Sequence, residues 1–448
     1  MEYRKFGELD FRVSALGFGC MRLPTLGKYD AIDEPLAIEM IRYAIDNGVN
    51  YLDSAHGYHG GNSERLIARA LTGTPPPQRA ADPPPRVIPS VVEEPSKGAN
   101  RWHGAGSVAG ADSPERCFDK LSMTGGGRAL LSAAGRAEKQ WAEATYRDKV
   151  RVATKMPAWA VKSPADFDRF FEESCERLQS PRIDFYLLHN IQAGFWANVR
   201  GHGVLAWLDK RLAEGRIGAT GFSFHDSLPV LREVIAAYPH WTVCQLQYNF
   251  VCEEVQAGTE GVKYAADKGL AVVVMEPLFG GALAKPPASV RALWDAAGKD
   301  PADVALRWLW DKPEVATVLS GMSTLEQVRA NVASAAASGV GKLSPEEREL
   351  VARVREGYKE LAAVPCTGCG YCVPCPNGVA IPENFMLLNQ VRVHGGGVAG
   401  LNRNLYAQMP EEKRADACVA CGKCEERCPQ HIKIADWLAR VHAAMTEQ

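Results

Sequence analysis

The chain has 448 residues, a formal net charge of -2, and 46% hydrophobic and 23% charged residues. That length accommodates one large barrel and a second small domain, and that apolar content excludes a chain disordered throughout. A charge so near neutrality excludes a general basic field for nucleic acid or an anionic membrane, leaving small molecules and a possible redox protein as partners. The first residues, MEYRKFGELDFRVS, carry charges every few positions and no apolar h-region. No run of about 18 apolar residues follows, so a soluble, cytoplasmic protein without a membrane span is expected.

In chain order, YRKFGELDFRVS reads as a hairpin closing the bottom of a barrel. From residue 13 to about 338, short apolar runs alternate with longer amphipathic stretches, the pattern of strands followed by crossover helices. The runs are VSALGFGC, NYLDSA, KVRVATK, DFYLLH, IGATGFSF, TVCQLQYN, LAVVVMEP and ATVLSGM. Eight such units predict an α/β fold, a closed (β/α)8 TIM barrel over residues 1–340, with an open doubly wound sheet as the alternative. Residues 73–145, beginning GTPPPQRAADPPPR, break the rhythm. Their Pro, Ala, Gly and Arg content predicts a disordered surface insertion with at most a short helix near Arg128 to Trp141; a lid or partner-docking arm is the other reading. LSPEEREL then opens a linking helix expected within 341–363, and a cysteine-rich domain, expected to be small and mainly helical, occupies 364–448.

Active sites of such barrels sit where the strands end. Asp53 ends the second strand with Tyr58 in the loop beyond, Lys155 ends the third and His189 the fourth. A lone Tyr or His at a strand end is more often structural than catalytic, but here four ionisable groups reach one rim. A tyrosine is a poor acid near neutrality unless a neighbouring ammonium stabilises its phenolate, a task that suits Lys155, with Asp53 keeping that lysine charged. His189 can donate a hydrogen bond to a carbonyl oxygen or share the proton. Together these groups would polarise a carbonyl while hydride arrives from a nicotinamide.

The segments YLDSAHGYHGGNSE, VATK and DFYLLHN resemble the catalytic segments of the aldo-keto reductase family, and the likeness spans most of residues 1–340. It implies a catalytic tetrad of Asp53, Tyr58, Lys155 and His189, and a nicotinamide site using Ser223 and Gln245. It also implies adenosine-phosphate contacts at Gly321, Met322, Gln327 and Asn331. Phe224 and Met275 stand where many members have Asn and an aromatic ring. Basic residues that would select NADPH are missing at Gly321 and Gln327, although Arg329 lies close; the reading leans to NADPH over NADH. The glycine-rich FGGALAK turn suits either close approach of a pyrophosphate or simply a tight bend. Trp159, Phe195 and Trp196 are candidate apolar walls for a carbonyl or alcohol substrate, or else core.

Of 13 cysteines, eight lie between Cys366 and Cys428 in short regular spacings, while Cys20, Cys117, Cys175, Cys244 and Cys252 are scattered. Clustered thiols without a signal peptide suggest metal binding rather than disulfides. The motifs are CTGCGYCVPCP from Cys366 and CVACGKCEERCP from Cys418. The second has the full spacing of a two-cluster bacterial ferredoxin; the first has two residues, not three, before its last cysteine. The resemblance implies two 4Fe-4S clusters with crossed ligation: Cys366, Cys369, Cys372 and Cys428 on one, Cys418, Cys421, Cys424 and Cys375 on the other. Tetrahedral zinc is the competing metal. Between the motifs, helices are expected around NFMLLNQVRVH and Asn402 to Gln408. The function expected is a nicotinamide-dependent carbonyl oxidoreductase with iron-sulfur clusters for one-electron transfer. Two alternatives remain: an electron-transfer subunit whose barrel binds nucleotide or docks a partner, and a redox-sensing regulator.

Overall fold

The structure is a computed structural model that describes residues 1–72, 145–366, 370, 372–394, 396–428 and 430–447. The expected insertion at 73–145, apart from Thr145, lies outside the described residues, as does Cys369.

Ten strands are present among the described residues. β1 (Tyr3–Phe6) and β2 (Leu9–Ser14) form an antiparallel hairpin, and the other eight close into an all-parallel barrel. These are β3 (Leu16–Gly19), β4 (Tyr51–Asp53), β5 (Arg151–Pro157), β6 (Ile183–Ile191), β7 (Ile217–Phe224), β8 (Trp241–Gln247), β9 (Ala271–Met275) and β10 (Val315–Gly321). β10 pairs with both β9 and β3, which completes the ring. The closed barrel replaces the open doubly wound alternative.

The hairpin plugs the floor. Its alternating pattern turns Phe6 and Val13 inward, where they pack with Tyr51, Ala153, Phe185, Leu187, Val243, Val273 and Leu319. The Phe6 ring centroid lies 4.9 Å from that of Phe185 and 5.5 Å from that of Tyr51. A floor filled with apolar side chains leaves chemistry to the opposite end, because period-2 alternation carries each inward column on to the last residues of its strand.

The expected linking helix is observed as Pro345–Leu361, opened by a capping box between Ser344 and Glu347. Glu347 does more than cap. Its carboxylate is 4% exposed, accepts one hydrogen bond of 2.8 Å from each terminal nitrogen of Arg307, and accepts another of 2.9 Å from Lys299. Chiefly through Arg307, its pKa is held at about 2. A carboxyl with a depressed native pKa contributes stability that is complete above its ordinary value and lost as pH falls toward the native one. Glu347→Gln should therefore cost about 3 kcal/mol of unfolding free energy near neutrality. In urea denaturation the gap from wild type should close between pH 4.5 and about 2.

Beyond this helix, Ile381–His394, Gly396–Gln408 and Ile434–Thr446 are helical. They surround a separate apolar core of Val379, Ile381, Phe385, Leu388, Tyr406, Ile434, Leu438 and Val441, against which six of the eight clustered cysteines pack. No helix among the described residues is long and apolar enough to cross a membrane.

Candidate active site and cysteine centre

The barrel's C-terminal end brings the four expected groups together. Asp53 is the last residue of β4 and pairs in register with Ala153, two residues before Lys155 on β5. Both side chains thus point inward at adjoining levels. Lys155 Nζ donates to Asp53 Oδ2 at 2.6 Å and to the Ser54 carbonyl at 2.6 Å. The lysine is fully buried and the aspartate 3% exposed. Burial pushes the Asp53 pKa up and that of Lys155 down, while attraction between the two opposes both shifts.

Tyr58 follows β4 in a tight turn in which His59, Gly60 and Gly61 all have positive φ. Lys155 Nζ lies 5.1 Å from the Tyr58 ring centroid, and the His189 ring meets Tyr58 edge-on at 5.7 Å. The expectation of a phenol acidified by Lys155 does not hold. Burial raises the Tyr58 pKa well above 10, and Asp53, Tyr29, Cys20 and Glu276 push it further up. The leading cause is desolvation of the phenol, while the observed hydrogen bonds of Lys155 go to Asp53 and the Ser54 carbonyl. Tyr58 is accordingly protonated across the physiological range.

His189 is uncharged there as well. Burial, then the charge of Lys155, then His225 hold its pKa well below 6.5. Its Nδ1 is buried with no hydrogen-bond partner among the described residues. The Trp159 ring, 47% exposed, covers it at 5.0 Å. Trp159 therefore sits at the mouth as expected, whereas Trp196 does not. Trp196 is 1% exposed, packs 6.3 Å from Trp241 and donates its indole N–H to Glu233, so it belongs to the outer core.

On the next strands, Ser223 and Gln245 are register partners and both are buried. Ser223 Oγ accepts from the backbone N–H of Asn190, which leaves its own hydrogen to donate. Gln245 donates from Nε2 to the Met275 sulfur at 3.6 Å, and its Oε1 is buried without a partner among the described residues. An orphaned acceptor beside a hydroxyl is a fit for a primary carboxamide. Asn190 is a further residue of the site that strand periodicity does not reveal; directly after His189, it takes a positive φ of 60. His225, hydrogen-bonded by Gln256 at 3.4 Å, is another.

The four residues expected at the adenosine end run from Gly321, the last residue of β10, through Met322 into the helix Leu325–Ala337, which carries Gln327 and Asn331. Gly321 is exposed, Met322 is 1% exposed, Gln327 accepts from the Ser323 N–H, and Asn331 donates to Ser320 Oγ at 2.9 Å. Arg329 sits over the Tyr43 ring at 5.5 Å, and the side chain packed on Gly321 is that of Arg22.

In the second domain, Cys366, Cys372 and Cys428 line one cavity, together with Ile381, Phe385, Ile432 and Ile434. Cys424 lies beside Cys418 and Cys375, whose charges add to burial in pushing its thiol pKa up. Cys421 is exposed. Among the described residues no three His, Cys, Asp or Glu side chains converge closely enough to hold a single metal ion. The donors are all sulfur and one wall is apolar, which suits an iron-sulfur cluster.

A closed barrel whose strand ends carry an ion pair, a tyrosine and a histidine defines a barrel oxidoreductase. The Aldo/keto reductase family model matches residues 15–86 and 129–354, and the 4Fe-4S dicluster domain model matches residues 365–432. The chain belongs to the aldo/keto reductase family and carries a C-terminal 4Fe-4S dicluster domain. It is 40% identical over 72 residues to a probable aldo-keto reductase 1 of Glycine max, covering 16% of this chain and 20% of that protein, so it spans about a fifth of that relative. It is 24% identical over 358 residues to the L-galactose dehydrogenase of Arabidopsis thaliana, covering 75% and 88% of the two chains. An aldo/keto reductase of Klebsiella pneumoniae, in complex with NADP and acetate, superposes with a TM-score of 0.51 at 19% identity over 79% of this chain and 95% of that one.

Proposed function

We propose that the barrel reduces a carbonyl, or oxidises the corresponding alcohol, with a nicotinamide cofactor. The observation that carries this is the meeting of Tyr58, His189 and the buried Lys155–Asp53 pair at one end of a closed barrel. A nicotinamide held there would supply the hydride. Ser223 and Gln245 would orient its carboxamide through the free hydroxyl hydrogen and the orphaned Oε1. Tyr58 would give its proton to the carbonyl oxygen as negative charge develops on it. Neutral His189 would donate a hydrogen bond to the same oxygen, with Trp159 restricting water. Lys155, fixed by Asp53, would lower the cost of the phenolate left behind. NADPH is favoured over NADH by the NADP of the Klebsiella structure and by Arg22 beside Gly321.

The eight clustered cysteines would hold two 4Fe-4S clusters for one-electron transfer. Cys366, Cys369, Cys372 and Cys428 would serve one cluster, and Cys375, Cys418, Cys421 and Cys424 the other. The shared cavity and the Cys375–Cys418–Cys424 neighbourhood support this crossed arrangement. Anaerobic stopped-flow mixing with NADPH, then NADH, each with and without a carbonyl panel, tests the reading. Nicotinamide oxidation should require a carbonyl, and a panel that yields no turnover would reject it. Cluster bleaching in the same turnover would join the two sites in one electron path. The second reading, an electron-transfer subunit, draws on Met275, whose sulfur occupies the Gln245 donor.

The neutral histidines make acid sensitivity predictable. His189 and His225 both have native pKa values below 6.5, so the unfolded chain binds protons first as pH falls. Their full contribution is present above pH 6.5 and is lost below it, by up to about 1.4 kcal/mol per pH unit for each. Melting curves from pH 8 to 5 should show this decline, and His189→Gln should flatten it.

A further inference from the structure

Behind the turn that carries Tyr58 lies a charged network that the chemistry above does not use. Glu64, in the helix Asn62–Leu71, is fully buried. Its Oε1 accepts from Thr154 Oγ1 at 2.6 Å, and its Oε2 lies 3.3 Å from Arg177 Nη1. That same Nη1 donates to the His56 carbonyl at 2.9 Å. Arg177 comes from the helix Ala165–Leu178, whose Glu173 holds His56 Nε2 at 2.6 Å. His56 in turn donates its backbone N–H to the Lys155 carbonyl at 3.2 Å. The bonds therefore form a closed circuit: Lys155 to His56, His56 to Arg177, Arg177 to Glu64, and Glu64 to Thr154, the residue before Lys155.

The guanidinium also sets the shape of the turn. A side-chain carbon on Gly61, at φ +91, would lie 2.9 Å from its central carbon, so the turn is seated directly on Arg177. A buried carboxylate without a cation is costly, and Arg177 is the cation the structure places on Glu64. A salt-bridged circuit at this depth is more than a packing device: it ties the Tyr58 turn and the Lys155 strand to one rigid frame.

We propose that Arg177, acting with Glu64, is a positioning residue that fixes Tyr58 relative to Lys155; this rests on Tyr58 being the proton donor. Neither residue touches the reacting atoms. Their loss should displace the phenol from a carbonyl oxygen without altering the nicotinamide pocket on β7 and β8.

The test uses the full chain with its clusters, 4-nitrobenzaldehyde as probe and NADPH as reductant. Arg177→Met should lower kcat about 10- to 100-fold while the KM for the aldehyde and the Kd for NADPH, read by fluorescence quenching, stay within about twofold. Arg177→Lys should recover part of the loss. The melting midpoint should also fall in Arg177→Met, because Glu64 is left unpaired. In the Glu64→Gln/Arg177→Met double variant the midpoint should recover while kcat does not.

An unchanged kcat in Arg177→Met overturns the proposal. So does recovery of kcat together with the melting midpoint, or a parallel loss of kcat, KM and Kd, since either makes the role purely structural. If Arg177→Met does not fold, Thr154→Val, which removes a single bond to Glu64, decides: a severalfold lower kcat supports the circuit and an unchanged one rejects it. Wild-type turnover that survives Tyr58→Phe would remove the donor and this inference with it. Turnover abolished by Tyr58→Phe but untouched by Arg177→Met would remove this inference alone.

Discussion

Replacing Tyr58 with Phe is expected to lower kcat for carbonyl reduction by about 10³-fold, within the range seen when a positioned proton donor is removed. The substitution deletes one oxygen from a half-buried ring that keeps its contacts with His189 and Lys155. NADPH binding should change little, because Ser223 and Gln245 lie on β7 and β8 and hold no bond to Tyr58 among those observed. The pH profile carries a second readout. A phenol whose pKa is raised well above 10 stays protonated at neutral pH, so reduction should not decline on an alkaline limb near neutrality. Alcohol oxidation, which needs the phenolate as acceptor, should rise with pH over the same range. Steady-state kinetics in both directions checks this. Reduction in Tyr58→Phe at more than about a tenth of the wild-type rate would reassign the proton donor.

What the sequence conveyed and what it withheld follow from the range of the forces involved. Asp53 ends its strand as expected, whereas β5 and β6 run two residues beyond Lys155 and His189; all three were legible as polar interruptions of apolar runs, and local alternation suffices to bring them to one rim. The acidity of Tyr58 was not legible. It depends on burial and on Tyr29 and Glu276, which reach the phenol from loops distant in the chain. Nor was the Arg177–Glu64 pair, whose members are 113 residues apart, since a charged residue in an amphipathic helix reads as solvated until its partner is seen. Trp196 was ambiguous for a related reason. An aromatic side chain near a rim loop suits a substrate wall and a helix core equally, and only the position of Trp241 separates them. Met322 carries the same lesson, since its neighbours in the sequence suggest a cofactor turn while its side chain is buried.

The cysteine domain allows a prediction nearly as large, on the pairing of its ligands. Loss of Cys428 should remove the same cluster as loss of Cys372, because both side chains line one cavity although 56 residues of chain separate them. Cys375, three residues after Cys372, should instead fall with Cys418 and Cys424. Each single Cys→Ala change should cost about half of the bound iron and acid-labile sulfide. The doubles separate the models. With crossed ligation, Cys372→Ala/Cys428→Ala should lose no more iron than either single variant, and the cluster left behind should give one unaltered spectrum by electron paramagnetic resonance. With local ligation, the same double should strip both clusters, because each motif would hold its own. Cys372→Ala/Cys375→Ala reverses the expectation, emptying both sites when ligation is crossed and one when it is local. Zinc rather than iron in the anaerobically purified chain would overturn the cluster assignment, since four thiolates on one tetrahedral ion hold no acid-labile sulfide.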